Sequence, residues 1–71
     1  MKILILGAAG QISKMLINRL LQETDAELVL YARNANRRIA NSDPSRITII
    51  NGDVNDSAKL LEVMEGVEIV Y

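Results

Sequence analysis

Four aliphatic residues, Ile3-Leu4-Ile5-Leu6, run unbroken into Gly7, and an amphipathic segment begins directly after Gly10. An apolar run of this kind suits a parallel strand covered on both faces. Strand, glycine turn and helix amino end then follow in the order that makes a seat for a phosphate. The helix offers unpaired backbone N–H groups and the positive end of its dipole. Glycine allows positive φ and a close approach of the backbone to a ligand. In this reading the N–H groups of Gln11 and Ile12 face a pyrophosphate. A plain strand-to-helix turn, where glycine is also common, is the alternative.

The chain after Gly10 alternates helix and strand. From Gln11 to Glu23, Ile12, Met15, Leu16 and Leu20, with Ile17 and Leu21 one step round, recur at helical spacing. Lys14, Asn18, Arg19, Gln22 and Glu23 fill the other face, and Thr24-Asp25 breaks the pattern. Ala26 to Ala32 reads as a second buried strand. Asn34 to Ser45 is polar and leaves room for a short helix with Ile39 and Ala40 as its buried side, stopped by the Asn-Ser-Asp-Pro-Ser turn cluster. The β-branched Arg46 to Ile50 is a third strand, ended by Asn51-Gly52-Asp53. Asp56 or Asn55 can cap a helix from about Ser57 to Glu65 with Leu60, Leu61 and Met64 as its stripe, Gly66 fits a left-handed cap, and Val67 to Tyr71 begins a fourth strand.

This alternation predicts an α/β fold with a parallel sheet and right-handed crossovers. The expected strand order is 3-2-1-4, with the first two connections on one face and the third on the other. Strand 1 is then central, beside the point where strand order reverses, and ligands in such sheets bind outside the carboxyl ends at that point.

Two further strand ends carry suggestive residues. Strand 2 ends in Tyr31-Ala32-Arg33-Asn34 with Arg37 and Arg38 behind, and no carboxylate lies between Glu27 and Asp43. Sheets that bind NAD place an acidic residue at this tip to accept from the ribose 2′-OH. Here a guanidinium stands where a 2′-phosphate would lie, and its planar fork matches phosphate oxygens. Arg38 reads as a solvated loop residue. Strand 3 ends in Gly52-Asp53-Val54, where a carboxylate can accept from the adenine amine and Val54 offers backbone and apolar surface. Asp53 by itself would be only a turn residue; its weight comes from the two other strand tips.

Composition narrows the rest. In 71 residues, one domain at most, 49% are hydrophobic, so the chain is built to bury itself. The net charge of −1 gives no reason to expect nucleic acid or an anionic membrane. Without cysteine or histidine, a disulfide framework, thiol catalysis and the usual zinc sites are excluded. The first strand follows Met1 at once and no apolar run approaches bilayer length, so a cytoplasmic location is expected.

Lys-Ile-Leu-Ile-Leu-Gly-Ala-Ala-Gly-Gln-Ile, Leu-Tyr-Ala-Arg-Asn and Asn-Gly-Asp-Val-Asn-Asp, followed by Leu60-Leu61 and Gly66-Val67, stand in one order and spacing. This set resembles the short-chain dehydrogenase/reductase superfamily, above all its atypical branch of flavin and biliverdin reductase-like proteins and NmrA-like regulators. The resemblance implies half of a Rossmann fold, with NADP rather than NAD as cofactor. It puts Gly7, Ala9, Gly10, Gln11 and Ile12 at the pyrophosphate, Arg33 with Arg37 at the 2′-phosphate, and Asp53 and Val54 at the adenine. Ser13 stands where the family usually has a third glycine, and a slight shift of the helix is expected there.

By the same resemblance residues 1–71 form the amino-terminal part of a dinucleotide-binding domain, stopping after strand 4. The family's catalytic tyrosine has a lysine four positions on; Tyr31 has Ala35 there, and Tyr71 is the last residue. Tyr31 is expected to pack at a strand end, and no catalytic residue or metal ligand is assigned. The expected function is the coenzyme-binding part of an NADP(H)-dependent oxidoreductase. The alternatives are an NADP-sensing module without catalysis, or a segment with no activity of its own. The apolar outer edge of strand 4 predicts self-association, as a homo-oligomer or swapped dimer.

Overall fold

Ile3, Leu4 and Ile5 are 1, 0 and 1% exposed, so consecutive side chains on opposite faces of one strand are all dry. That burial requires protein above and below the sheet, and the chain supplies it with helices. The structure is a computed structural model; it describes residues 1–8, 10–39 and 43–71, with the side chains of Asn36 and Arg38 left aside. The elements are β1 (Lys2–Leu6), α1 (Gln11–Glu23), β2 (Glu27–Ala32), α2 (Ala35–Arg38), β3 (Ile47–Asn51), α3 (Ser57–Val63) and β4 (Ile69–Val70). The strands pair in parallel in the order β3-β2-β1-β4, as expected from the alternation. Among the described residues no helix is long and apolar enough to cross a membrane.

Alternate side chains of the sheet feed two cores. On one face Ile3, Ile5, Leu28, Leu30 and Ile47 gather with Ile17 of α1, and Leu16, Leu20, Leu21 and Ile39 pack against them. On the other, Leu4, Val29 and Tyr31 meet Leu60 and Val63 of α3, together with Val67. The first two connections thus share a face and the third takes the opposite one. Each aliphatic side chain taken fully from water contributes about 1.5–3 kcal/mol.

The helices turn differently from the stripes read in the sequence. Ile12 is 85% and Met15 73% exposed, while Ile17 is buried. At about 100° per residue, Met15 lies roughly 160° from Ile17, on the far side of α1. The face that the sheet selects runs through Leu16, Ile17, Leu20 and Leu21. In α3 the inward pair is Leu60 and Val63, and Leu61 is 71% exposed. This helix ends at Val63, two residues short of the expected Glu65, with Gly66 at φ 77 beyond it. Ala35 of α2 is fully enclosed, and Ile39 packs just beyond the end of the helix. The expected partner Ala40 and the first two residues of the 41–45 turn cluster lie outside the described residues. The rest of that cluster is a turn, with Arg46 N–H donating to the Asp43 carbonyl at 3.0 Å and Ser45 Oγ to Asp43 Oδ1 at 2.6 Å.

Strand limits move by a residue or two. β2 starts at Glu27, β3 spans Ile47–Asn51, and β4 is Ile69–Val70 although its ladder bonds run from Glu68 to Tyr71. Arg46 therefore precedes β3, and it has a different task. Its guanidinium donates to the carbonyls of Leu21 at 2.9 Å, Thr24 at 2.5 Å and Ala26 at 3.2 Å. These oxygens belong to the last turn of α1 and the link to β2, where a cation also meets the negative end of the helix dipole. The Arg19–Glu23 pair one turn earlier is exposed and adds little. Arg46→Met keeps the aliphatic stem and removes these donors; it should lower stability by about 1.5–3 kcal/mol, read as a lower urea midpoint with an unchanged slope.

Candidate functional site

The strand register sets three chain exits side by side. Leu6 is level with Tyr31, and Tyr31 with Ile50, so the turns after β1, β2 and β3 leave one edge of the sheet. Backbone bonds continue past the strands: Gly7 N–H donates to the Tyr31 carbonyl at 3.0 Å and Gly52 N–H to the Ala32 carbonyl at 3.1 Å. Strand pairing alone therefore gathers the three sequence-predicted clusters.

At the first exit Gly7 has φ 62, a left-handed conformation that glycine adopts without penalty. Gly10 is the N-cap of α1 with φ −73 and ψ 160, a conformation open to any residue. A Cβ on Gly7 would meet nothing within 4 Å, and one on Gly10 only the Gly7 carbonyl at 3.7 Å. Neither glycine is there to relieve crowding inside the protein, and the ground before the helix end is open. Among the described residues no side chain caps α1. Gln11 and Ile12, the first helical residues, are both exposed. Ser13 takes part in the turn: its hydroxyl donates to the Gly7 carbonyl at 3.2 Å, beside Gly10 N–H on the same oxygen. Ala9, expected in this turn, lies outside the described residues.

At the second exit Asn34 adopts φ 53 and swings the chain into α2. Asparagine is one of the few side-chain-bearing residues that visit this region readily. Ala35 N–H donates to Asn51 Oδ1 at 3.2 Å, which ties the turn to β3. The Arg33 side chain is 74% exposed, and its Nε lies 3.9 Å from Asp53 Oδ2. Arg37 is exposed one turn on, and its N–H donates to the Asn34 carbonyl at 3.0 Å.

The third exit is built around Tyr31. Its ring is fully buried and its hydroxyl donates to the Asp53 carbonyl at 2.9 Å. A Cβ on Gly52 would lie 2.6 Å from the ring's Cε2, closer than atoms can pack, so this position is a glycine because the ring occupies the space. Burial, reinforced by the Asp56 and Asp53 carboxylates, pushes the Tyr31 pKa above its usual value, so the hydroxyl stays a neutral donor. This agrees with the packing role read from the sequence. Asp53 Oδ1 accepts from Asn55 N–H at 2.9 Å, and Asp56 caps α3 by accepting from Lys59 N–H at 3.2 Å. Lys59 Nζ reaches back to the Asn51 carbonyl at 2.6 Å. Val54 is 52% exposed beside Asp53.

Asn51, Lys59 and the Tyr31–Gly52 contact were not evident as site features in the sequence. The signal available was slight: a tyrosine inside an aliphatic strand and a glycine one place beyond the next. A separate cavity of about 520 Å³ lies under α3, lined by Lys2, Val29, Thr48 and Ile50 of the sheet; no residue of Gly7, Arg33 or Asp53 lines it. Among the described residues no cluster of three or more His, Cys, Asp or Glu is placed to hold a metal.

Chemically, the edge combines an uncapped helix amino end, an exposed guanidinium, a carboxylate and an exposed valine. Such a set can hold a dinucleotide: dipole and N–H groups for pyrophosphate, the fork for a further phosphate, carboxylate and valine for a base. Tyr31 is buried and already donates to a backbone carbonyl, so its hydroxyl is engaged in packing this edge.

Residues 7–71 match the NAD(P)H-binding family. No curated protein matches the chain. Among solved structures, a short-chain dehydrogenase/reductase (wide type) from Veillonella parvula in complex with NADP is 39% identical, with a TM-score of 0.88 over 97% of this chain and 33% of that one. A Rossmann-fold NAD(P)-binding family protein from Shigella flexneri is 40% identical, with a TM-score of 0.86 over 99% of this chain and 35% of that one. The PbgP3 protein from Burkholderia pseudomallei is 26% identical, with a TM-score of 0.78 over 97% of this chain and 21% of that one. The chain thus spans about a third of the length of the first of these structures. Its parallel sheet is Rossmann-like, and with its family match over residues 7–71 the chain belongs to the NAD(P)H-binding family.

Proposed function

We propose that this chain is the coenzyme-binding portion of an NADP(H)-dependent oxidoreductase of the short-chain dehydrogenase/reductase superfamily, working in the cytoplasm. In this reading it forms the amino-terminal part of the dinucleotide-binding domain and holds the adenosine and pyrophosphate. The observation that carries it is the exposed Arg33 guanidinium at the β2 exit, 3.9 Å from Asp53 at the β3 exit. The NADP held by the Veillonella protein supports the same cofactor here.

Each residue then has a part. The N–H groups of Gln11 and Ile12, opened by Gly7, Ala9 and Gly10, take the pyrophosphate at the α1 amino end. Arg33, with Arg37 in support, takes the 2′-phosphate. Asp53 accepts from the adenine amine, and Val54 covers the base. Bound NADPH supplies a hydride; these residues fix where its adenosine half lies. Discrimination comes from charge: no acidic residue stands between Glu27 and Asp43 to repel a 2′-phosphate at the β2 tip, and a guanidinium fork matches its oxygens.

The outer side of β4 supports a second proposal, self-association of this chain. Ile69, Val70 and Tyr71 are 36, 42 and 54% exposed on the terminal strand of the sheet. An apolar edge of this kind pairs readily with another strand.

Two measurements test these readings. Titrated with each dinucleotide, the protein should bind NADPH more tightly than NADH, and Arg33→Ala should cost about tenfold or more in NADPH affinity while sparing NADH. Equal affinity of the unaltered protein for both would sink the Arg33 assignment. Sedimentation equilibrium should show dimers or larger species of the 71-residue chain at high micromolar concentration, and Val70→Lys should shift it to monomer; a clean monomer before substitution would refute the edge pairing.

A further inference from the structure

Two side-chain hydrogen bonds cross between the β2 and β3 exits in opposite directions. Tyr31, at the end of β2, reaches over to the Asp53 carbonyl in the loop after β3 at 2.9 Å. Asn51, at the end of β3, accepts from Ala35 N–H in the turn after β2 at 3.2 Å. Each strand thus holds the loop of the other. Arg33 and Asp53 sit one inside each clamped loop.

Arg33 and Asp53 carry exposed side chains on anchored backbone. Arg33 is bracketed by Tyr31, Ala32 and Ala35, which are 0, 5 and 0% exposed. Asp53 follows Gly52, whose place is dictated by the Tyr31 ring, and Lys59 Nζ fixes the Asn51 carbonyl from the far side at 2.6 Å. An exposed ion pair at 3.9 Å orients little by itself. The backbone on which the two side chains stand is held by the crossed hydrogen bonds. Binding that finds its groups already placed avoids the entropy of ordering them.

We propose that Tyr31 and Asn51 are positioning residues for cofactor choice, their crossed hydrogen bonds holding the Arg33 and Asp53 loops so that the Arg33 guanidinium meets a 2′-phosphate. This rests on the assignment of Arg33 to the 2′-phosphate made above. Neither residue touches the dinucleotide in this scheme; Asn51 holds the turn that carries Arg33, and Tyr31 the loop of Asp53 beside it. The consequence is specific. Loss of either clamp weakens NADPH more than NADH: both share the adenine contact given to Asp53, and only NADPH has a 2′-phosphate for Arg33.

The test measures the ratio of NADH to NADPH dissociation constants, by titration of nicotinamide fluorescence, for Tyr31→Phe and Asn51→Ala, each with Arg33 intact and in an Arg33→Ala background. Tyr31→Phe removes only the hydroxyl, and Asn51→Ala changes an exposed residue, so Asn51→Ala decides the matter if the buried variant fails to fold. With Arg33 present the ratio should fall about two- to tenfold, the range of one net hydrogen bond. In the Arg33→Ala background it should not change. General destabilisation lowers both affinities together and leaves the ratio alone. A ratio unmoved by either clamp variant, while Arg33→Ala lowers it, would overturn the positioning role and leave the proposed function standing. An equal fall with and without Arg33 would also overturn it. No effect of Arg33→Ala itself would remove the reading on which the inference rests.

Discussion

β1 has to be dry on both faces, and the rest of the fold follows from that constraint. Ile3, Leu4 and Ile5 are all at most 1% exposed, which no single layer of cover can achieve. Strands on either side satisfy the backbone of β1: β2 along its length and β4 over a short ladder. α1 closes one face and α3 the other. Because the third connection must cross to the opposite face, the strand order reverses at β1. The turn that leaves β1 therefore opens where the connections diverge, and a Cβ on Gly7 there would meet nothing within 4 Å. A binding position results from the way the core is covered.

The corner beside that turn shows a division between rigid support and exposed chemistry. Among the described residues Tyr31 is the largest fully buried side chain, yet its hydroxyl reaches the loop after β3 and bonds the Asp53 carbonyl there. The groups that can meet a ligand, Arg33 and Asp53, stand on loops whose backbone is held from below. Arg46 does similar work at the opposite end of α1, gathering carbonyls that the helix leaves unpaired. In both places one long side chain, partly or wholly enclosed, saves a connection from carrying unsatisfied or mobile backbone.

Features that depend on local chemistry were legible in the residues. The aliphatic run into Gly7, the break at Thr24, the Asp56 cap and the left-handed Gly66 each need only a few neighbours, and the strand order needs only the alternation of elements. Helix rotation was not legible, because it depends on which sheet face the helix meets. Ile12 and Met15 keep helical spacing with Leu16 and Leu20, but the sheet selects Ile17 and Leu21 in their place. Leu61 lost to Val63 on α3 for the same reason. Of the candidate site, the residue types at the three exits could be read from the chain. Their contacts could not: Arg33 and Asp53 are 20 residues apart in sequence, and only the pairing of β2 with β3 brings them together.

That pairing also explains why Arg33 and Asp53 can be neighbours without cancelling each other. In the interior a pair at 3.9 Å would be locked by the cost of separating two desolvated charges. Here the side chains are 74 and 42% exposed, so water screens the attraction between them. A phosphate offers more oxygens to the planar fork than one carboxylate oxygen at that distance, and it is the stronger partner. Exposure makes the ion pair nearly worthless for stability; in the proposed function it also keeps the Arg33 side chain at the surface, where a 2′-phosphate would reach it. The buried tyrosine beneath holds, through its hydroxyl, the carbonyl of one member of that pair.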